Sequence, residues 1–299
     1  MIRDVQKNEL EEVSLFLSKM NGKNEHHIGY CGTNSLEIYE ALEELFLHVT
    51  SPLLVVKHEG NIVGVLGADM NEETKEAEMW GPWVMDKKWL TPLWLHFTKE
   101  MEPRIHTYTF FVNKENDTVH TFLNEIGASQ QSEQAVLDVQ KRKAKLESYK
   151  DVSLFCSSYA QDFITLHNTL FPVTYYSGEA ILKQLNENHV LFIMVCDQAL
   201  VGYVYVEADP NYGEGSIEYI GVQKQYEGKG YAQKLLTHAI TWLFSFDTIN
   251  ELSLCVNLSH KRAISLYEKV GFQIKHELSV YRKNKDVYKQ IDVEKQKGS

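Results

Sequence analysis

Gln225, Tyr226, Glu227, Gly228, Lys229 and Gly230, followed by Tyr231 and Ala232, form a short stretch suited to holding an anion on its backbone. Two glycines one residue apart let the backbone turn with positive φ and approach a ligand with no Cβ in the way. The stretch lies between a β-branched apolar run, Ile217 to Val222, and an amphipathic run, Ala232 to Phe244, so it predicts a turn from strand into helix. The head of such a helix has N–H groups without intrahelical partners and the positive end of the dipole, which together favour an anion. The chemistry expected is capture of a pyrophosphate. A dinucleotide-binding turn would need a third glycine where Gln233 stands, and a P-loop would need its lysine after the second glycine rather than before it. What remains is Gln-x-x-Gly-x-Gly, satisfied by Gln225, Gly228 and Gly230.

The elements that must position this turn alternate between helical and extended patterns, which gives an α/β chain. The first half predicts helices over Glu9 to Met20 and Ser35 to His48, then strands over Leu53 to His58, Ile62 to Asp69 and Ala77 to Val84. A helix over Thr91 to Glu100, a strand over Thr107 to Val112, a helix over Asp117 to Ile126 with a Gly127 stop, and a strand through Ala135 to Val139 complete it. The second half repeats the order. Helices over Ala160 to Phe171 and Gly178 to Asn188 precede strands over Val190 to Cys196, Leu200 to Ala208 and Ile217 to Val222. The helix after the glycine turn runs to about Phe246, followed by a strand over Glu251 to Val256, a helix over Lys261 to Val270, a Gly271 stop and a strand to about Arg282.

The halves also match by position. Gly64 and Gly202, and Val84 and Val222, stand 138 apart (202 − 64 and 222 − 84), while Val112-Asn113 and Val256-Asn257, and Gly127 and Gly271, stand 144 apart (256 − 112 and 271 − 127). The six added residues fall in the interval that holds the glycine turn. Its counterpart in the first half is Met85, Asp86, Lys87, Lys88, Trp89, Leu90, without glycine. The pattern reads as a duplicated domain whose first copy has lost its anion site. The expected division is 1–145 and 146–299.

The Gln225, Gly228, Gly230 pattern resembles the acetyl-CoA loop of the GNAT superfamily of N-acetyltransferases. The segment Val256 to Phe272, with Ala263, Tyr267 and Gly271-Phe272, resembles the second landmark of that family. The resemblance covers about residues 150 to 283 and is weak in the first half. It implies two GNAT-like domains, each a mixed, mostly antiparallel sheet flanked by helices (α+β by some schemes). It implies that the loop amides from Gln225, Glu227, Gly228, Lys229, Gly230, Tyr231 and Ala232 hold a CoA pyrophosphate, while Ile220 to Val222 pair with the pantetheine arm. His260 stands where the family has a helix-leading asparagine. It either reaches acetyl-CoA or is a polar helix-entry residue. Glu227 stands where the family often has a basic residue, so its side chain must point to solvent if the loop is to work.

The implied reaction is direct attack of an amine on the acetyl thioester. An alkyl ammonium, with a pKa near 10.4, must lose a proton, and the leaving thiolate, with a thiol pKa near 8.5, benefits from a donor. Tyr267 matches the family's general acid, and Leu123 replaces it in the first copy. Glu218 is a candidate base, because strict alternation puts it on one strand face with Val222; a structurally paired glutamate is the competing reading. Tyr175 and Tyr176, between the first two helices of the second half, either line the acceptor pocket or cover the core beneath a loop. The alternative function is a non-catalytic acetyl-CoA or CoA sensor or scaffold.

Composition narrows the partners. The 299 residues are 43% hydrophobic and 24% charged, with a formal net charge of −11, which argues against a nucleic-acid backbone and suits a small-molecule amine or a protein amine acceptor. Residues 1 to 10 are too polar for a secretory signal, and no apolar run reaches membrane-spanning length, so a cytoplasmic protein with no membrane partner is expected. Cys31, Cys156, Cys196 and Cys255 lack metal or redox spacing and read as small buried apolar residues. No metal is expected. His26-His27 reads as surface loop, Lys141 to Lys145 as a solvated linker, and Tyr288 to Ser299 as a polar tail. Nothing in the sequence sets the oligomeric state.

Overall fold

The computed structural model describes residues 1–47, 52–101, 104–172 and 174–285. The predicted elements form in the predicted order, and each half is preceded by a short strand that the sequence did not lead us to expect, β1 and β7: β1 (Ile2–Asp4), α1 (Leu10–Asn21), α2 (Ser35–Leu47), β2 (Leu53–His58), β3 (Asn61–Asn71), β4 (Glu76–Val84), α3 (Leu90–Met101), β5 (Thr107–Asn113), α4 (Asp117–Glu125) and β6 (Ser129–Gln140). The second half gives β7 (Val152–Leu154), α5 (Ala160–Leu170), α6 (Gly178–Gln184), β8 (His189–Cys196), β9 (Ala199–Asp209), β10 (Glu214–Val222), α7 (Tyr231–Leu243), β11 (Glu251–Asn257), α8 (Lys261–Lys269) and β12 (Gln273–Asn284). Helix α6 stops at Gln184 rather than Asn188, because Leu185 turns extended at ψ 127. The expected end of α2 at His48, and the tail 288–299, lie outside the described residues.

The spacings of 138 and 144 recur at element ends. β3 and β9 begin and end 138 apart (199 − 61 and 209 − 71), as do β4 and β10, whereas β5 and β11, α4 and α8, and β6 and β12 begin and end 144 apart (251 − 107, 261 − 117 and 273 − 129 at their starts). Among the described residues each copy is a mostly antiparallel sheet in which one neighbouring pair, β4 with β5 or β10 with β11, runs parallel.

The sequential boundary at 145 is not how the contacts divide. Among the described residues one compact unit comprises those of 1–133 together with 278–285, and the other comprises those of 134–277. In the first, the chain's final strand β12 pairs with β5, Leu278 opposite Asn113 through Asn284 opposite Thr107. In the second, β6 pairs with β11, Gln134 opposite Asn257 through Gln140 opposite Glu251. Each copy thus receives its last strand from the other. The reason is register: β6 and β12 occupy equivalent places in the repeat, so either satisfies the edge of β5 or β11.

In the second unit, alternation along β9 sorts two cores. Val204 and Val206 face the α7 side with Leu235, Leu236, Ala239 and Ile240. Tyr203 and Tyr205 face the α5–α6 side with Phe163, Leu166 and Ile181. The first unit buries one continuous core that includes Trp83, Trp94, Phe97, Phe110 and Phe122.

Two minor expectations are corrected. His27 is buried, because its carbonyl accepts from Asn113 N–H at the edge of β5. Of the four cysteines, Cys31 is buried, Cys196 is half-buried, and Cys156 and Cys255 are exposed; none of them is in a disulfide among the described residues.

Candidate functional site

At the end of β10 the chain makes a short 3-10 turn, Lys224–Tyr226, and then passes through Gly228 at φ 74° and Gly230 at φ 83°. Both angles are left-handed, which is where glycine has no Cβ penalty. A Cβ at either glycine would meet no protein atom within 4 Å, so the loop is bent over open space rather than against its own core. Gly230 is the N-cap of α7, and its carbonyl accepts from Lys234 N–H as the first helical bond. Among the described residues the N–H groups of 228 to 233 meet no protein acceptor. These unpaired donors at the positive end of a 13-residue helix fit a pyrophosphate.

The side chains leave that cradle clear. Glu227 is exposed, as the loop requires. The Lys229 ammonium lies 5.3 Å over the Tyr226 ring, and Tyr226 in turn meets Tyr231 edge-on. The Gln225 amide donates to Gln223 Oε1 at 3.0 Å, and Gln223 donates to the Leu200 carbonyl at 2.7 Å, which pins the turn to the start of β9. Ala232 lies on the first turn of α7.

Leading into the loop, β10 and β11 pair only at Ser216 and Ser253. Beyond that point the two parallel strands are not paired, so Ile220 and Val222 belong to a strand that meets β9 on one side and has an unpaired edge on the other. Tyr267, on α8, is 8% exposed and packs its ring against Phe272 at 5.8 Å. Its hydroxyl has no protein partner among the described residues, yet it is not among the sealed-off polar atoms. Burial pushes the phenol up to about 12. His260 is the N-cap of α8, is exposed, and makes no side-chain cap bond.

Glu218 differs from the alternation argument. Between Ile217 and Tyr219 the register against β9 shifts, so Glu218 is the extra residue of a β-bulge. The bulge resets the count: Ile220 and Val222 pack toward α7, whereas Glu218 accepts from the Ser216 hydroxyl at 2.5 Å and lies near Glu207, on the side of Tyr205. Desolvation raises the Glu218 carboxyl above its ordinary range, the Ser216 hydrogen bond opposes this, and Glu207 adds to it; the side chain as a whole remains solvent-exposed. Tyr175 is 87% exposed and Tyr176 half-buried, with rings 4.6 Å apart at 72°. His167 and Tyr219, which sequence reasoning passed over as helix and strand core, hold the backbone beside them.

The matching stretch of the first half is built differently. Asp86 accepts from Lys88 N–H at 3.0 Å, so a carboxylate already occupies the turn before α3. Residues 27–29 then run along β5: Ile28 bridges Val112, Gly29 N–H donates to the Phe111 carbonyl at 2.7 Å, and Asn113 N–H donates to His27 O at 3.1 Å. Asn21 fixes this segment by accepting from Ile28 N–H and Trp83 Nε1 and donating to the Cys31 carbonyl. The edge that stays unpaired at β11 is satisfied here by the protein's own backbone.

With the geometry established, comparison with known proteins gives three results. Residues 160–272 match the family model described as acetyltransferase (GNAT) family. Over 110 residues the chain is 27% identical to spermidine N(1)-acetyltransferase of Escherichia coli K12, an alignment that takes in 34% of this chain and 59% of that protein, so the chain spans about three fifths of that relative's length. Among solved structures, the fold is similar to a GCN5-related N-acetyltransferase from Sphaerobacter thermophilus, with TM-score 0.73 at 15% identity and 95% of both chains covered. It is also similar to a tandem GNAT protein from the clavulanic acid biosynthesis pathway, with TM-score 0.64 at 13% identity, covering 95% of this chain and 98% of that one. Among the described residues no helix is long and apolar enough to cross a membrane, and no group of three or more His, Cys, Asp or Glu could hold a metal. The matched residues, 160–272, carry α5 to α8 and form a GNAT acetyltransferase family domain, and the fold of the chain as a whole is similar to that of a tandem GNAT protein.

Proposed function

We propose that this protein transfers the acetyl group of acetyl-CoA, the cosubstrate of the GNAT family, to an amine, and that the second unit alone does so. The observation that carries this reading is the run of unpaired N–H groups at the head of α7, opened by two left-handed glycines over empty space. Gly228 to Ala232 would hold the pyrophosphate, and Ile220 and Val222 would offer their strand edge to the pantetheine arm. When bound, acetyl-CoA supplies a thioester carbonyl open to attack and a thiolate leaving group.

Tyr267 stays protonated across the physiological range. A phenol at about 12 gives up its proton to a thiolate of pKa about 8.5 only uphill, by roughly 5 kcal/mol, so its hydroxyl serves chiefly as a hydrogen-bond donor to the developing charge on sulfur. Glu218, with its carboxyl above the ordinary range, is the group proposed to accept the ammonium proton, directly or through water. Glu207 and Glu218 lie beside Tyr205 and Tyr176, and the likeness to spermidine N(1)-acetyltransferase agrees with a cationic amine as acceptor.

Isothermal titration of acetyl-CoA, followed by thiol release against a panel of alkyl polyamines, amino sugars and peptide N-termini, tests this. One site per chain and release with one amine class are expected. Two sites would refute the sealed first copy, and binding without release to any amine would favour a CoA sensor. A second expectation concerns Glu218→Gln. A base must be ionised, so kcat/KM should fall as pH drops through a pKa above the usual carboxylate value. The Gln variant should lose that acid limb together with about 10-fold or more in rate. An unchanged limb in the variant would remove Glu218 as the base.

A further inference from the structure

His167, on α5, is fully buried and uses both ring nitrogens. Its Nε2 lies 2.9 Å from the Tyr176 carbonyl oxygen. A carbonyl only accepts, so Nε2 carries a proton and donates, while Nδ1 lies 2.7 Å from the Tyr203 hydroxyl, which can either donate or accept. Burial lowers the basicity of the ring and favours its neutral form, in which Nδ1 accepts from that hydroxyl.

Tyr219 completes the arrangement from β10, one residue past the bulge. Its hydroxyl lies 2.7 Å from Thr174 Oγ1 and accepts from Tyr176 N–H at 3.4 Å. The rings of His167 and Tyr219 meet edge-on at 4.8 Å, and Phe171 closes over both at 5.4 and 5.2 Å. Tyr176 is thus held at its N–H by a strand residue and at its carbonyl by a helix residue. None of these bonds involves the glycine loop, α7 or Tyr267.

We infer that His167 and Tyr219 are positioning residues for the acceptor: they fix the backbone that carries Thr174, Tyr175 and Tyr176 beside Glu218, and so set the KM for the amine without affecting affinity for acetyl-CoA. This rests on the acetyl-transfer reading. Losing one hydrogen bond to a segment of this kind corresponds to about a 10-fold change in the equilibrium that orders it.

The test uses Tyr219→Phe and His167→Gln in the full chain, with two readouts. Hydrogen exchange should quicken about 10-fold at the amide of Tyr176 and its neighbours, with the α7 amides unchanged. The KM for the amine identified by thiol release should rise by a similar factor, with kcat within about twofold and the acetyl-CoA Kd unchanged. Tyr219 is only half-buried and its ring contacts survive in Phe, so this variant decides the matter even if His167→Gln fails to fold. Unchanged exchange near Tyr176 in Tyr219→Phe overturns the clamp. Quickened exchange with an unchanged KM, or a weakened acetyl-CoA Kd, overturns its role in acceptor binding. Absence of thiol release by the unaltered protein with every amine overturns the proposed reaction and, with it, the acceptor role, while the exchange result still decides the clamp.

Discussion

Gly230→Asp is expected to weaken acetyl-CoA binding by about 100-fold or more while leaving the melting temperature within about 3 °C. The two effects separate because of where Gly230 stands. A Cβ there meets no protein atom, Asp is among the residues that best tolerate left-handed backbone, and a carboxylate at an N-cap is welcome to the helix. The fold is therefore spared. The ligand is not, because the same carboxylate would take the N–H groups of α7 and set a negative charge against a pyrophosphate. At about 4 Å and an effective dielectric near 20, unit charges repel by about 4 kcal/mol. In the first copy a carboxylate already stands in the stretch before the matching helix, where Asp86 accepts from Lys88 N–H. Titration of the variant with acetyl-CoA and a thermal melt on the same sample are the measurements, and unchanged affinity would refute the loop assignment.

Tyr267→Phe is expected to lower kcat by about 100-fold with no change in acetyl-CoA Kd and little in stability. The hydroxyl has no protein partner among the described residues to lose, and the ring that packs on Phe272 is retained. In the unaltered protein, the phenol at about 12 predicts that no basic limb from this residue appears in the rate below about pH 10. The sign for stability is the same. Burial raises the folded-state pKa above the unfolded value near 10, so the contribution is complete below pH 10 and is lost as pH rises toward 12. Single-turnover thiol release at saturating acetyl-CoA separates the chemical effect from binding, and equal rates would remove Tyr267 from the reaction.

Much of this was written in local sequence. The glycine turn, Tyr267 and the repeat of 138 and 144 positions are properties of residues read in order, and they reappear as left-handed backbone, a buried phenol and strands with matching ends. What the sequence concealed depends on partners distant along the chain. The bulge at Glu218 changes which face it shares, and no residue type announces it. His167 looks like any residue on the apolar side of an amphipathic helix until Tyr203 and Tyr219 are brought to it from other strands. Residues 27–29 carry no strand pattern because they pair only at an edge that the first copy would otherwise leave bare. The exchange of β6 and β12 is the least legible, since equivalent strands of a repeat carry equivalent patterns and sequence alone does not say which edge each will choose.

That exchange sets an order of events on the ribosome. When residue 133 is made, β5 still lacks its neighbour, which arrives with residues 278–284. At ordinary elongation rates the interval is on the order of 10–30 s. During it the first copy carries an open strand edge beside a core that includes Phe110 and Trp94. The second copy, supplied early with β6, has all its strands once residue 257 is synthesised. The repeat with the anion loop is therefore the one that has its full set of strands first, and the repeat that leads in sequence is completed last.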